Sequence, residues 1–314
     1  MSRRLLSPAL LACTLSLSMH GLTAWAKPDR FDFGIIALPV KAASSEVALR
    51  EAIAQSNETK LAFLVSNGIK ANSELCTDSL YQRRKSLLNN AENSLIVSIT
   101  ASDWVNCKNA QGKPTEIGRL NRLRELFFAD DASLGSHKMP LARQSDIAKF
   151  RSYPENARWE VGNILFATIN LPSDNNHYLP EAGRNSEFED RAIANRDWLA
   201  RIFTLAKRKK MAGIALFCDG NPLPAPGRSK ISALKGRRDG FIEVRQQLNE
   251  LTRKFPGKVL LIYRQNQTKP NASTDIAWQG KIGTVGLDSG WIKLTATKGS
   301  STLFSIDHDE GVEK

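Results

Sequence analysis

The sequence predicts a layered α/β fold, and three observations predict it. Six short apolar runs, "FDFGIIALPV", "LAFLVSNG", "SLIVSITA", "NILFATINL", "GIALFCDG" and "KVLLIYRQ", hold branched and aromatic residues and end in polar or turn-forming ones, as buried strands do. Apolar residues at helical spacing fill most of the intervals between them. After Lys258 the pattern changes, and "TVGLDSGWIKLTAT" and "TLFSIDHD" predict antiparallel strands joined by turns at the C-terminus.

Residues 1–26, "MSRRLLSPALLACTLSLSMHGLTAWA", set Arg3 and Arg4 before a short, Ser-interrupted apolar run that closes on Ala24-Trp25-Ala26. That is the layout of a secretory signal with a small-x-small cleavage site. The expectation is a periplasmic or secreted protein in which residues 27–314 form one domain. No second apolar stretch of membrane-crossing length follows.

Beyond the first strand, Ser44-Ser45-Glu46 opens a helix whose apolar positions are Val47, Leu49 and Ile53. Thr77-Asp78 caps a second helix carrying Leu80, Tyr81, Leu87 and Leu88. Leu120, Leu123, Leu126 and Phe127 make the apolar face of a third. The longest is "SEFEDRAIANRDWLARIFTLAKRKK", with Glu187, Glu189 and Asp190 at its start and Lys207 to Lys210 at its end, the polarity the helix dipole favours. A basic, Pro/Gly-rich loop from Pro222 to Gly240, expected to be mobile, leads into a last helix, "GFIEVRQQLNELTRKF".

The formal net charge is +12, and the leader contributes two arginines and no acid, so the rest carries 12 − 2 = +10. Solubility accounts for this surplus, and the dipole accounts for Lys207 to Lys210, so nucleic acid is not an expected partner. A basic surface formed by Lys207 to Lys210 and Arg228 to Arg238, binding an anionic polymer, stands as a third reading. Past the leader the cysteines are Cys76, Cys107 and Cys218. Cys76 and Cys107 each follow a strand-like run by a few residues and are predicted to pair in an oxidising compartment. Cys218, inside "AGIALFCDG", reads as a small buried hydrophobe rather than a nucleophile.

An α/β protein presents its chemistry where its strands end. The tips Ala37-Leu38, Ser66 to Gly68, Thr100 to Asp103, Cys218 to Asn221 and Tyr263 to Gln267 contain two acids, Asp103 and Asp219, and no histidine. A two-metal hydrolytic centre needs acids and imidazoles converging on ions about 4 Å apart, so no metal centre is predicted. His137, His177 and His308 lie in loop-like segments without an H-x-H or H-E-x-x-H pairing. His177, beside Asp174, Asn175 and Asn176, is the most site-like of them, yet reads as part of a solvated loop. There is no G-x-S-x-G elbow and no Gly-rich phosphate loop. Trp104, Trp159 and Trp198 are assigned to core packing.

The order of these segments, together with "CTDSLYQRR", "DWVNC", "RLNRLRELFFADDASLG", "RQSD", "YPENARWEVGNILFAT", "NRDWLARIF" and "GWIKLTATKGSSTLFSID", resembles the calcineurin-like metallophosphoesterases, in particular a secreted bacterial branch. The resemblance runs through most of the chain past residue 26. It implies a sandwich of mixed β-sheets flanked by helices, and a divalent metal as cofactor. The motifs that would hold that metal depart from the family pattern. The first strand, "GIIALPV", has Ala37 at or beside the expected Asp. "VSNGIK" stands in for an "HxGDIK"-like segment, with Ser66 or Asn67 near the His position and no bridging Asp. "TASDW" replaces a "GDNEW"-like motif, so Ala101 and Ser102 stand for Asp and Asn, and only Asp103 keeps an acid. "YRQNQ" replaces the closing "HGDTH"-like motif and loses both imidazoles.

Neutral Asn and Gln oxygens cannot balance two divalent ions, and without metal the family's activated water is lost. The resemblance therefore implies an exported pseudoenzyme with no cofactor, acting by binding a protein or a small anion. Its cleft candidates are Asn67, Asp103, Arg264, Gln265, Asn266 and Gln267. Arg264 sets a fixed charge where the family has a catalytic Gly. It either receives an anion or pairs with Asp103 and fills the pocket. The alternative is a working phosphoesterase or other hydrolase built on Asp103, Asp174, His177 and Asp219.

Overall fold

The computed structural model describes residues 29–38, 45–105, 107–180, 183, 185–223, 238–265 and 275–307. Each of the six apolar runs contains a strand: β1 (Arg30–Ala37), β2 (Leu64–Asn67), β3 (Leu95–Ser98), β6 (Ile164–Thr168), β7 (Gly213–Phe217) and β8 (Lys258–Arg264). Six more complete the sheets: β4 (Ala142–Arg143), β5 (Ala157–Val161), β9 (Ala277–Gln279), β10 (Ile282–Leu287), β11 (Gly290–Thr297) and β12 (Phe304–Asp307). One sheet runs β12-β11-β1-β2-β3 and the other β4-β5-β6-β7-β8-β10-β9. Both are mixed. β1, β2 and β3 are parallel, as are β6, β7, β8 and β10, while β11, β12, β4, β5 and β9 join by antiparallel pairing.

The C-terminal expectation needs correcting at one strand. β11 pairs antiparallel with β1 and β12, but β10 pairs parallel with β8 in the other sheet. "TVGLDSGWIKLTAT" therefore crosses between sheets at its Asp288–Gly290 turn instead of forming one hairpin.

Side-chain alternation along the strands explains the layering. In β1, Phe33, Ile35 and Ala37 enter an apolar cluster that also takes Phe166 of β6, Phe217 of β7 and Leu260 and Ile262 of β8. The intervening Ile36 joins a second cluster with Leu49, Leu80, Leu88, Leu120 and Leu123. On the other sheet Leu165, Leu216, Val259 and Leu261 join a third with Trp198, Ile202, Phe203 and Leu248. The two sheets thus share one core, and helices cover both outer faces. Buried on both sides, the central strands read as continuous apolar runs. Aromatic rings fill the inter-sheet core: Phe63 meets Phe166 at 4.7 Å and Trp159 at 5.2 Å between centroids.

The helices are α1 (Glu46–Asn57), α2 (Asp78–Asn89), α3 (Ala101–Trp104), α4 (Glu116–Phe127), α5 (Ser186–Arg208) and α6 (Ile242–Lys254). Thr77 caps α2 as its sequence predicts, accepting the Leu80 N–H. In α1, Leu49 and Ile53 are buried, whereas Val47 is 62% exposed because it falls off the stripe that Leu49, Ala52, Ile53 and Ser56 define. Cys76 and Cys107 form a disulfide across a Cα–Cα distance of 5.7 Å, tying the entrance of α2 to the segment after α3. Cys218 is buried, as are Trp104, Trp159 and Trp198. No helix among the described residues is long and apolar enough to cross a membrane. The loop over residues 224–237 lies outside the described residues.

Candidate functional site

The C-terminal ends of β2, β3, β7 and β8 meet where the two sheets touch, and polar side chains stitch them together. Asn67, closing β2, donates from Nδ2 to the Cys218 carbonyl just past β7 at 3.0 Å. Gly68 follows with φ +94°, and a Cβ there would come within 3.2 Å of the Thr100 side chain. The glycine is required both for its backbone and for that close approach.

Asp103 sits at the third residue of α3. Its Oδ2 accepts the Thr100 N–H at 2.7 Å and the Thr100 hydroxyl at 3.1 Å, closing a capping arrangement around the short helix. Its Oδ1 accepts the N–H groups of Ile69 at 3.0 Å and Lys70 at 3.2 Å. Both oxygens are fully engaged in holding the loop after β2 against the start of α3. Burial pushes the Asp103 carboxyl up, and the hydrogen bonds from the Ile69 and Thr100 N–H groups and the charges of Lys70 and Arg264 oppose it. Lys70, 1% exposed, donates to the Ala71 and Glu74 carbonyls, and burial pushes its ammonium down.

Asp219 follows β7. Its Oδ2 accepts the Ala101 N–H at 2.7 Å and the Ser173 N–H at 2.8 Å, while its buried Oδ1 has no hydrogen-bond partner. Burial pushes this carboxyl up as well, against the pull of Arg264 and the two N–H donors.

Arg264 closes β8 and is 4% exposed. Its Nη1 donates to the Thr100 hydroxyl at 3.1 Å and the Ser102 hydroxyl at 3.0 Å. Nε and Nη2 are buried without a partner. Of the two readings of Arg264, the pairing with Asp103 is not made: no hydrogen bond joins them. The guanidinium acts on both carboxylates through its field, but its hydrogen bonds go to hydroxyls because the Asp103 oxygens are already taken by backbone N–H groups. Gln265 donates its N–H to the Leu287 carbonyl, and its side chain lies over Gly286 of β10. Asn266 and Gln267 lie outside the described residues.

The alternative hydrolase set does not assemble. Asp103 and Asp219 are buried and bonded to backbone, whereas Asp174 is exposed. His177 corrects its sequence reading, since it is buried, at 6% exposure, and not solvated. Its Nδ1 lies 3.1 Å from Glu187 Oε2, and its ring stands edge-on to Trp104 at 4.7 Å. Asn175, Asn176 and His177 all have positive φ. Arg191 of α5 holds this left-handed turn by donating to the Asn176 Oδ1 and carbonyl oxygens. Gly240 backs it so closely that a Cβ would lie 2.1 Å from the Asn175 carbonyl. The turn opens a second buried polar cluster in which Asn195 donates to the Asn170 carbonyl and Asn156 bridges Gln144 and Asn195. Sequence reasoning did not assign these amides. Their one signal is that they fall inside "RQSD", "YPENARW" and "NRDWL".

Of the residues read as a basic surface, Lys209 pairs with Glu160 at 2.6 Å, and Arg238 lies over the Tyr178 ring. Arg228 and its neighbours up to 237 lie outside the described residues. No cluster of three or more His, Cys, Asp or Glu that could hold a metal occurs among the described residues. Compared with protein-family models and with curated proteins, the chain matches none.

Proposed function

We propose that this chain is an exported, metallophosphoesterase-like scaffold that binds a ligand at its strand ends and does not hydrolyse it. The observation that carries the proposal is the state of the two remaining carboxylates. Asp103 has both oxygens committed to backbone and hydroxyl donors, and Asp219 has one committed. A buried guanidinium stands among them. This donor set does not fit a pair of divalent ions. One carboxylate oxygen and an Asn amide oxygen are too few ligands, and a fixed cation alongside would repel the ions. With no ion to lower a water's pKa, the residues supply no nucleophile of their own.

Cys218 offers no substitute, since burial and the neighbouring Asp219 push its thiol up and keep it protonated. What remains is a recognition site with a fixed positive charge, hydroxyls and amide oxygens. The Cys76–Cys107 disulfide agrees with an oxidising compartment.

The test is turnover. The protein should hydrolyse aryl phosphate mono- and diesters no faster than buffer does, with or without added manganese, zinc or iron. Hydrolysis that disappears in a folded Asp103→Ala sample would contradict the proposal.

A further inference from the structure

The starts of β7 and β8, at the end of the sheet opposite the strand-end cluster, carry a concentration of charge. α5 stops where Lys210 takes a left-handed turn, φ +52°, and Met211 donates its N–H back to the Ala206 carbonyl. α6 stops before Pro256. Each helix leads into a strand, and Gly213 of β7 stands opposite Lys258 of β8 in a parallel pair. The Lys258 N–H also donates to the Ala212 carbonyl. The two helix ends are thereby set side by side. With them come Lys207, Arg208, Lys209 and Lys210 from α5 and Arg253 and Lys254 from α6, all exposed. Lys281, just before β10, joins them by donating from Nζ to the Phe255 carbonyl, and Lys258 Nζ reaches the Gly280 carbonyl.

The helix dipoles do not use up this charge. The eight bases meet two acids, Glu160 against Lys209 and Glu250 against Lys254, which leaves 8 − 2 = +6. The C-terminal ends of α5 and α6 carry about half a negative charge each, about −1 together. Lys207, Arg208, Lys210 and Arg253 form no ion pair with a described residue. Six of the eight are lysines, which act as flexible point charges and not as planar forks. None of the exposed large apolar side chains lies among them. Trp278, the ring beside them, is half-buried, with Lys258 Nζ 5.1 Å from its centroid. Single-stranded nucleic acid is held on open stacking platforms, and phosphorylated peptides by clustered arginines. A charged bilayer surface needs neither, only many cations presented on one face.

We infer that this basic end docks the protein on an anionic phospholipid surface, held by Coulomb attraction without insertion among the acyl chains. The docking is independent of what the strand ends bind, but it fixes their direction. Lys258 opens β8 and Arg264 closes it, about 20 Å further along the strand. The strand-end cluster therefore faces away from the lipid.

The test is co-sedimentation of the full chain with vesicles of phosphatidylcholine alone and of phosphatidylcholine with about 30% phosphatidylglycerol, over a range of salt. Residues 1–26 are present in every sample, so their contribution cancels between variants. The natural sequence should bind the anionic vesicles in preference to the neutral ones and be released as salt rises. K207Q/K210Q/R253Q should weaken binding about a hundredfold, at roughly fivefold per charge. Since all three side chains are exposed, its melting temperature should be unchanged. R83Q/K108Q/K113Q, which removes the same charge from exposed positions elsewhere, should weaken binding less than about threefold. Equal losses in the two triple variants would make net charge the cause and overturn the inference. Equal binding to neutral and anionic vesicles, or binding that resists salt, would do the same. Single-stranded DNA or polyphosphate that stays bound at a salt concentration releasing the vesicles would make the partner a polymer, and would also overturn it.

Discussion

Asp103 and Glu187 show how far single residues carry the argument. Asp103 accepts three backbone N–H groups and one hydroxyl inside the protein, and Tyr81 donates to its carbonyl at 2.7 Å. Replacing it by Ala strands the Ile69, Lys70 and Thr100 donors, and the loss should be about 3–5 kcal/mol of unfolding free energy in urea titrations. A loss below about 1 kcal/mol would mean these bonds are not what orders the strand ends.

Glu187 gives a pH signature. Burial pushes its carboxyl up, but the Arg191 charge and hydrogen bonds from His177 and Arg191 more than offset this and hold it at about 2. The folded value is depressed, so its contribution is complete above the unfolded value of about 4.3 and disappears as pH falls toward about 2, a change of about 3 kcal/mol. E187Q should flatten the acid limb of the stability curve across that window. An unchanged limb would show that the ion pair is not formed.

Asp103, Asp219 and Arg264 were legible as strand-end residues, because each closely follows or closes a run whose end the sequence marks. The partners of those side chains were not legible. That Arg264 turns to Thr100 and Ser102 depends on contacts more than 160 positions apart in the chain. His177 was misread for the same reason, since it packs against Trp104 of α3, distant from it in the chain, and Glu187 of α5.

Among the elements, the doubly covered strands were the clearest in the sequence, because both of their faces are apolar. β4 and β9 were missed as short edge pieces, and β5 because its "ARWEV" alternates charged and apolar residues at the sheet's margin. The long α5 was readable from end to end, its acids and bases falling where its dipole wants them. At this scale the Cys76–Cys107 bond is the feature to test. It closes a sequence separation of 31 residues, and chain-entropy bookkeeping puts its contribution at about 3–4 kcal/mol. The C76S/C107S protein should lose about that much stability, and the unmodified protein should show no free thiol at either position by mass spectrometry after alkylation. Two reactive thiols in the oxidised protein would refute the pairing.

At the scale of the whole molecule, two mixed sheets share an aromatic core and carry helices on both outer faces, an arrangement the sequence announced through its strand–helix alternation. The same stacking brings the ends of β2, β3, β7 and β8 together and decides what chemistry they can do. In place of converging acids and imidazoles, the described part of that junction offers backbone-bound carboxylates around a buried arginine. The most direct test is the metal content of the purified protein, measured by elemental analysis after incubation with manganese, zinc and iron and then desalting. Near-zero metal per chain is the result predicted here. One or two tightly held ions per chain would contradict it, and would mean that the strand ends assemble a metal site from ligands other than those described.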